Sequence, residues 1–150
     1  MYHTEKEVQL LGEPELAVVE NGPLRVGLTL KYKISAQSTI TQFISLDAVS
    51  DMIVFDTQVD WHENRKILKV EFNLDVYNHV AHYATHFGHL ARPTHKNTTW
   101  DMAKFEVCGH HWADLNEHGF GVALLNDCKC RFHSFSLPTH SQTATVVKAM

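Results

Sequence analysis

One hundred and fifty residues suggest a single domain, long enough to bury roughly 70% of the surface its unfolded chain would expose. The composition is 44% hydrophobic and 20% charged, with a formal net charge of −4 when histidines are neutral. Lys and Arg are scattered rather than run together, so the sequence carries no electrostatic signature of a nucleic-acid or anionic-membrane partner, and no stretch is apolar enough to span a bilayer.

The chain opens on "MYHTEKEVQLLGEPE", which lacks the apolar run of a signal peptide. "ENGP" (Glu20 to Pro23) carries an Asn-Gly pair, the strongest short hairpin signal. In "LRVGLTLKYKI", Leu24, Val26, Leu28, Leu30, Tyr32 and Ile34 fall on one face, with Arg25, Gly27, Thr29, Lys31 and Lys33 on the other. A period of two marks a strand with one packed and one wetter face. "SLDAVSDM" (Ser45 to Met52) reads as a link. It leads into "IVFDTQVDW", where Ile53, Phe55, Thr57, Val59 and Trp61 alternate with Val54, Asp56, Gln58 and Asp60. "WHENRK" (Trp61 to Lys66) is a polar break, and the alternating "ILKVEFNLDVY" follows it, which predicts a second hairpin across the break. After the chemically dense "GHLARPTHKNTTWD" (Gly88 to Asp101), read as a loop, strand-like pieces recur around Phe105–Val107 and Phe120–Leu125, with "NEHG" (Asn116 to Gly119) as a turn. No long amphipathic helix is evident. The expected class is all-β, an antiparallel β-sandwich over residues 1–129. Beyond Asp127 the alternation fades and Ser and Thr dominate, so 130–150 is expected to be a divergent, poorly ordered tail.

Three cysteines, Cys108, Cys128 and Cys130, do not resemble a disulfide framework; reduced thiols and a cytoplasmic location are the simpler expectation. On that expectation, the glycosylation sequon at Asn97-Thr98-Thr99 is a chance match. Twelve histidines are spread from His3 to His140, so net charge should rise steeply as pH falls through ~6.5. None of His89, His95, His110, His111 and Cys108 reproduces a zinc-module spacing. A site assembled from distant strands, for example His95 with His110 and Asp101, stays open, but the expectation is no metal site and no cofactor in this chain. Cys108 and His110 invite a Cys-His dyad, but no oxyanion-hole motif accompanies them, and a small buried thiol is the plainer role for Cys108. Acidic pairs such as Asp101 with Glu106 or Asp114 with Glu117 occur in any β-protein and assign no catalytic residue.

Arg92, His95, Asn97, Trp100 and Asp101 offer a more pointed combination. An aromatic face stacks on the C–H face of a sugar ring, while Arg, His, Asn and Asp bind hydroxyls directionally. Pro93 stiffens the segment. The same residues admit a plainer reading, with Trp100 in the core and the polar groups capping strand ends.

"WHENRKILKVEF" (Trp61 to Phe72), "FGHLARPTHKNTTWDMAKFEV" (Phe87 to Val107) and "HHWADLNEHGFGVALLND" (His110 to Asp127), together with "ENGPLRV" (Glu20 to Val26), resemble the C-terminal β-region of the glycoside hydrolase family 38 α-mannosidases, most of all their cytosolic class 2C. The resemblance runs from about Leu16 to Lys129, and relatives diverge once Lys129 is followed by Cys130. It implies a portion of a galactose-mutarotase-like supersandwich, incomplete at both ends. It also implies an enzyme that trims terminal α-mannosides from free oligosaccharides with retention of configuration. In that family an aspartate nucleophile, an acid/base carboxylate and a zinc or cobalt ion belong to an N-terminal catalytic domain, and no position of this chain matches those motifs. The implied partners are thus a mannose-containing oligosaccharide and a catalytic domain missing from this chain. The segment from Gly88 to Asp101 would face the sugar or pack against that domain. A truncated product of this kind would expose a sheet edge or core face and self-associate.

Overall fold

The structure is a computed structural model and describes residues 11–104, 106–127 and, as backbone, 130–136 and 142–147. The described residues form an all-β, antiparallel protein with one short helix. Two compact units divide between Lys66 and Ile67.

The first unit is a four-stranded meander of β1 (Leu11–Asn21), β2 (Arg25–Lys33), β3 (Thr39–Asp47) and β4 (Ile53–Asp60), paired in that order. The Asn-Gly hairpin forms as expected, with the Gly22 amide donating to the Arg25 carbonyl at 3.0 Å. Register aligns Val26 with Leu46 and Leu46 with Ile53, then Leu28 with Ile44 and Ile44 with Phe55, so one face is an apolar lattice. Val26, Leu46, Ile53 and Phe55 on that face are exposed. The opposite face holds Arg25 3.3 Å from Glu20 and 3.5 Å from Asp47, stacked over the Phe43 ring.

Ser38, fully buried, ties the β2–β3 turn to the segment after β4. Its hydroxyl donates to Glu63 at 3.1 Å and accepts the His62 amide at 2.9 Å. Glu63 also accepts from Lys66 and Ser35, and these bonds hold its carboxyl down at about 2. "WHENRK" is therefore no hairpin turn, contrary to the alternation on either side of it. Glu63 and Lys66 are committed to the first unit, Arg65 takes a left-handed φ of 56°, and the chain crosses into the second unit.

The second unit is a sandwich of two four-stranded sheets. One has the order β10 (Phe120–Leu125), β9 (Trp112–Glu117), β6 (Val80–Thr85), β7 (Gly88–Pro93). The other has the order β5 (Lys69–Leu74), β12 (Gln142–Val147), β11 (Cys130–Ser136), β8 (Val107–Gly109). Thus β5, expected to pair back onto β4, pairs with β12 instead. Cys130–Ser136 and Gln142–Val147, within the segment expected as a tail, supply the two central strands; 137–141 and 148–150 lie outside the described residues. Pleating sends Ala81 and Tyr83 of β6 and Leu115 of β9 inward, where they cluster with Val76. Leu74 and Val107, from opposite edge strands of the other sheet, pack onto this cluster and join the two layers, with Val122 and Leu124 extending it.

Leu115 is 8% exposed at the centre of that cluster. Leu115→Ala should lower the free energy of unfolding by about 2–4 kcal/mol, read as a reduced urea midpoint at unchanged slope. The Glu63 contribution has the opposite dependence on conditions. A carboxylate depressed in the folded state stabilises above its unfolded value of 4.5 and loses that effect as pH falls towards about 2. Lys66→Ala should raise the Glu63 midpoint, measured by carboxyl-carbon NMR titration, and a midpoint that stays at about 2 would contradict the assignment to Lys66.

Candidate functional site

The segment "GHLARPTHKNTTWD", expected to be a loop, is a loop only over 94–98. It begins as β7 and ends in a one-turn helix, α1 (Thr99–Ala103). Pairing with β6 makes β7 regular: Tyr83 faces Leu90, and Ala81 faces Arg92. Arg92 therefore lies on the inner side of its sheet, with its guanidinium 5.6 Å from the Tyr83 ring centre. One terminal nitrogen donates to the Cys108 carbonyl at 3.0 Å. Its buried Nε has no hydrogen-bond partner.

Thr94 then pins the chain. It is 4% exposed, its hydroxyl donates to the Asn78 carbonyl at 2.6 Å, and its amide donates to the His79 carbonyl at 3.0 Å. Thr98 starts the helix as an N-cap of extended backbone, its hydroxyl accepting the Asp101 amide at 3.1 Å. Asp101 reaches back in return and accepts the Thr98 hydroxyl at 2.6 Å. This reciprocal capping box explains why so short a helix forms.

Thr94 and the capped turn together enclose a recess of about 210 Å³. Tyr83, Leu90, Pro93 and Val107 supply its apolar lining; Arg92, His95, Lys96, Asp101 and Lys104 supply its polar one. His95 Nδ1 is buried without a hydrogen bond, 3.7 Å from Asp101 Oδ2, and Lys104 Nζ is 3.7 Å from Asp101 Oδ1. The bond from Thr98 holds the Asp101 carboxyl below its ordinary value, assisted by Lys104 and His95. Burial pushes the Lys96 ammonium below its own.

Of the five residues singled out by sequence, the structure brings Arg92, His95 and Asp101 to this recess. Asn97 and Trp100 do not line it, and both are exposed. Trp100, at 79% exposure, is not the core residue that the plainer reading required. Lys96 and Lys104 were missed; they follow from the turn that Thr98 and Asp101 enforce, and that capping pair was the one signal available. The other chemically suggestive residues lie elsewhere. Gly109 takes the buried side of β8, so its neighbour Cys108 is exposed rather than a buried thiol. His110 packs against His86, and His89 lies between His82 and Trp112 on the outer face of β6, β7 and β9. Among the described residues, no three of His, Cys, Asp and Glu stand close enough to share a metal ion. Likewise, no described helix is long and apolar enough to cross a membrane.

Residues 2–143 match the glycosyl hydrolases family 38 C-terminal domain, and the chain belongs to that family. Within it the likeness is specific. The chain is 50% identical over 129 residues to alpha-mannosidase 2C1 of Homo sapiens, which covers 85% of this chain and 12% of the relative. Identity is 46% over the same shares to alpha-mannosidase 2C1 of Mus musculus. It is 43% over 133 residues to alpha-mannosidase G of Dictyostelium discoideum, again 12% of that protein. The chain thus spans about an eighth of the length of these relatives.

Removing the Thr98 hydroxyl tests the capping box. Thr98→Val should raise the Asp101 pKa towards that of an ordinary carboxylate and cost about 1 kcal/mol of stability, read by side-chain NMR titration and urea unfolding. An unmoved Asp101 midpoint would show that Lys104 and His95, not Thr98, set its charge.

Proposed function

We propose that this chain is the non-catalytic β-portion of an α-mannosidase that hydrolyses terminal α-mannosides of free oligosaccharides, with retention, in the cytoplasm. The bond-breaking carboxylates and the zinc or cobalt ion would be held by another part of the longer enzyme. The observation that carries this reading is the carboxylate content of the recess. A glycosidase needs two carboxyl groups roughly 5–10 Å apart, and Asp101 is the one acid lining the recess among the described residues. Its pKa is lowered, and its oxygens are engaged by Thr98 and Lys104. That supports recognition rather than acid/base chemistry. Arg92, His95 and Asp101 would bind sugar hydroxyls at the recess. Asn97 and the exposed Trp100 would offer an amide and a stacking face outside it.

The exposure of Trp100 also favours a second reading, a carbohydrate-binding or protein-interaction module that works alone. An exposed indole next in sequence to a polar recess is a common way to hold a pyranose ring.

The purified chain should release no mannose from a chromogenic α-mannoside, with or without added zinc or cobalt; metal-stimulated turnover would refute the non-catalytic assignment. Calorimetric titration with uncharged mannose oligosaccharides decides the binding role. Saturable binding weakened about tenfold or more by Trp100→Ala or His95→Ala supports sugar contact. Absence of binding in the wild-type chain would assign the segment to structure alone.

A further inference from the structure

The polar lining of the recess does more than present hydroxyl partners. Arg92, Lys96 and Lys104 bring three formal positive charges to it and Asp101 one negative, a surplus of two. Two nitrogens there, Arg92 Nε and His95 Nδ1, are buried and make no hydrogen bond. A buried nitrogen without a partner is costly, and a native fold normally satisfies it with protein, water or a ligand. A neutral sugar would satisfy one or both but would leave the charge surplus unbalanced in a site walled by Tyr83, Leu90 and Val107. We propose that this recess is an anion site for a phosphate group, taken either as free phosphate or as the phosphoryl group of a phosphorylated sugar.

Three features favour phosphate. A phosphate monoester carries about −1.5 to −2 charges near neutral pH and three strong acceptor oxygens, which matches the surplus and the several directions from which donors arrive. Arginine is suited to such oxygens: with one terminal nitrogen held by the Cys108 carbonyl at 3.0 Å, the guanidinium is already oriented. Asp101 does not oppose the anion strongly, because Oδ2 accepts the Thr98 hydroxyl at 2.6 Å and Oδ1 lies 3.7 Å from Lys104. Burial disfavours the ammonium of the half-buried Lys96, and a bound anion opposite it would offset that cost. The recess, about 210 Å³, holds roughly seven waters at ~30 Å³ each. That is more than a five-atom anion fills, and it leaves space for part of a sugar ring.

This inference stands apart from the oligosaccharide reading and is tested separately. Inorganic phosphate, mannose 6-phosphate and uncharged mannose are titrated into the full 150-residue chain by calorimetry at low salt, with phosphorus NMR as a second observation. Phosphate and mannose 6-phosphate should each saturate one site and compete with each other, and mannose should displace neither. Lys104→Gln and Lys96→Gln should each weaken binding about fivefold, and Arg92→Gln more. If Arg92→Gln unfolds through loss of its Cys108 bond and Tyr83 packing, the two lysine variants carry the test. Tighter binding of mannose 6-phosphate identifies a phosphorylated sugar as the source; equal binding identifies free phosphate. No saturation by either compound up to about 20 mM, or affinity unchanged in both lysine variants, overturns the proposal. Neither result bears on the uncharged oligosaccharides, whose titration decides the other reading.

Discussion

A pleated strand offers each side chain two destinations, and the pairing of β6 with β7 fixes which one Arg92 takes. Because Ala81 faces Arg92 and Tyr83 faces Leu90, the guanidinium lies on the core side of its sheet rather than in solvent. A slip of one residue would reverse every side chain of β7, placing His89 and Ala91 inward and Arg92 outside. Nothing else in the recess would survive that slip. Tyr83 would lose the cation stacked on it, Cys108 would lose the donor to its carbonyl, and the chain would reach Thr94 facing the wrong way. Burial of Ala81, Tyr83 and Leu115 holds the register, so the hydrophobic core and the polar recess are two consequences of one alignment.

From Pro93 onward the controlling interactions are hydrogen bonds rather than packing. Thr94, buried, spends both its amide and its hydroxyl on the start of the β6 hairpin. Four residues later Thr98 and Asp101 close a capping box around one turn of helix. Between these two anchors His95 and Lys96 have little freedom and come to line the recess. Asp101 thereby has two tasks: it satisfies a helix terminus, and its charge sits between His95 and Lys104. Such double use accounts for a carboxylate that stays ionised although the wall beside it is apolar.

Strands with one clearly apolar face were legible in the sequence. β2, β4 and β5 emerge from alternation, β10 as a strand-like piece, and the Asn-Gly turn between β1 and β2 from its dipeptide. β6 was not legible, because its buried residues are Ala81, Tyr83 and Ala84, and two alanines carry almost no hydrophobic signal. β7 was hidden by its own chemistry: an inward arginine reads as a loop residue unless the ring beneath it is known. The partner of β5 was beyond any local rule, since β12 follows it by some seventy residues and alternation names no partner. Within the site, sequence supplied Arg92, His95 and Asp101 because of their residue types. It could not separate them from Asn97 and Trp100, because the turn that divides inside from outside rests on the Thr98–Asp101 pair. Lys96 and Lys104 escaped for the same reason, being ordinary surface residues until that turn is closed.

The charge state of Asp101 bears on what the recess can do. A general acid in a glycosidase must hold its proton near neutral pH, which requires a carboxyl raised by burial or by a neighbouring negative charge. Asp101 has the reverse environment: a hydroxyl donor, an ammonium and an imidazole all favour its ionised form. A carboxylate favoured in its ionised form can still accept a hydroxyl proton in a hydrogen bond, or balance nearby cations. Around it the recess gathers cationic groups in excess, two buried nitrogens that make no hydrogen bond and an apolar floor. Recognition needs a rigid β-scaffold and a few fixed donors, whereas glycoside cleavage needs two carboxyl groups whose protonation is tuned apart, and among the described residues Asp101 is the one acid lining this recess.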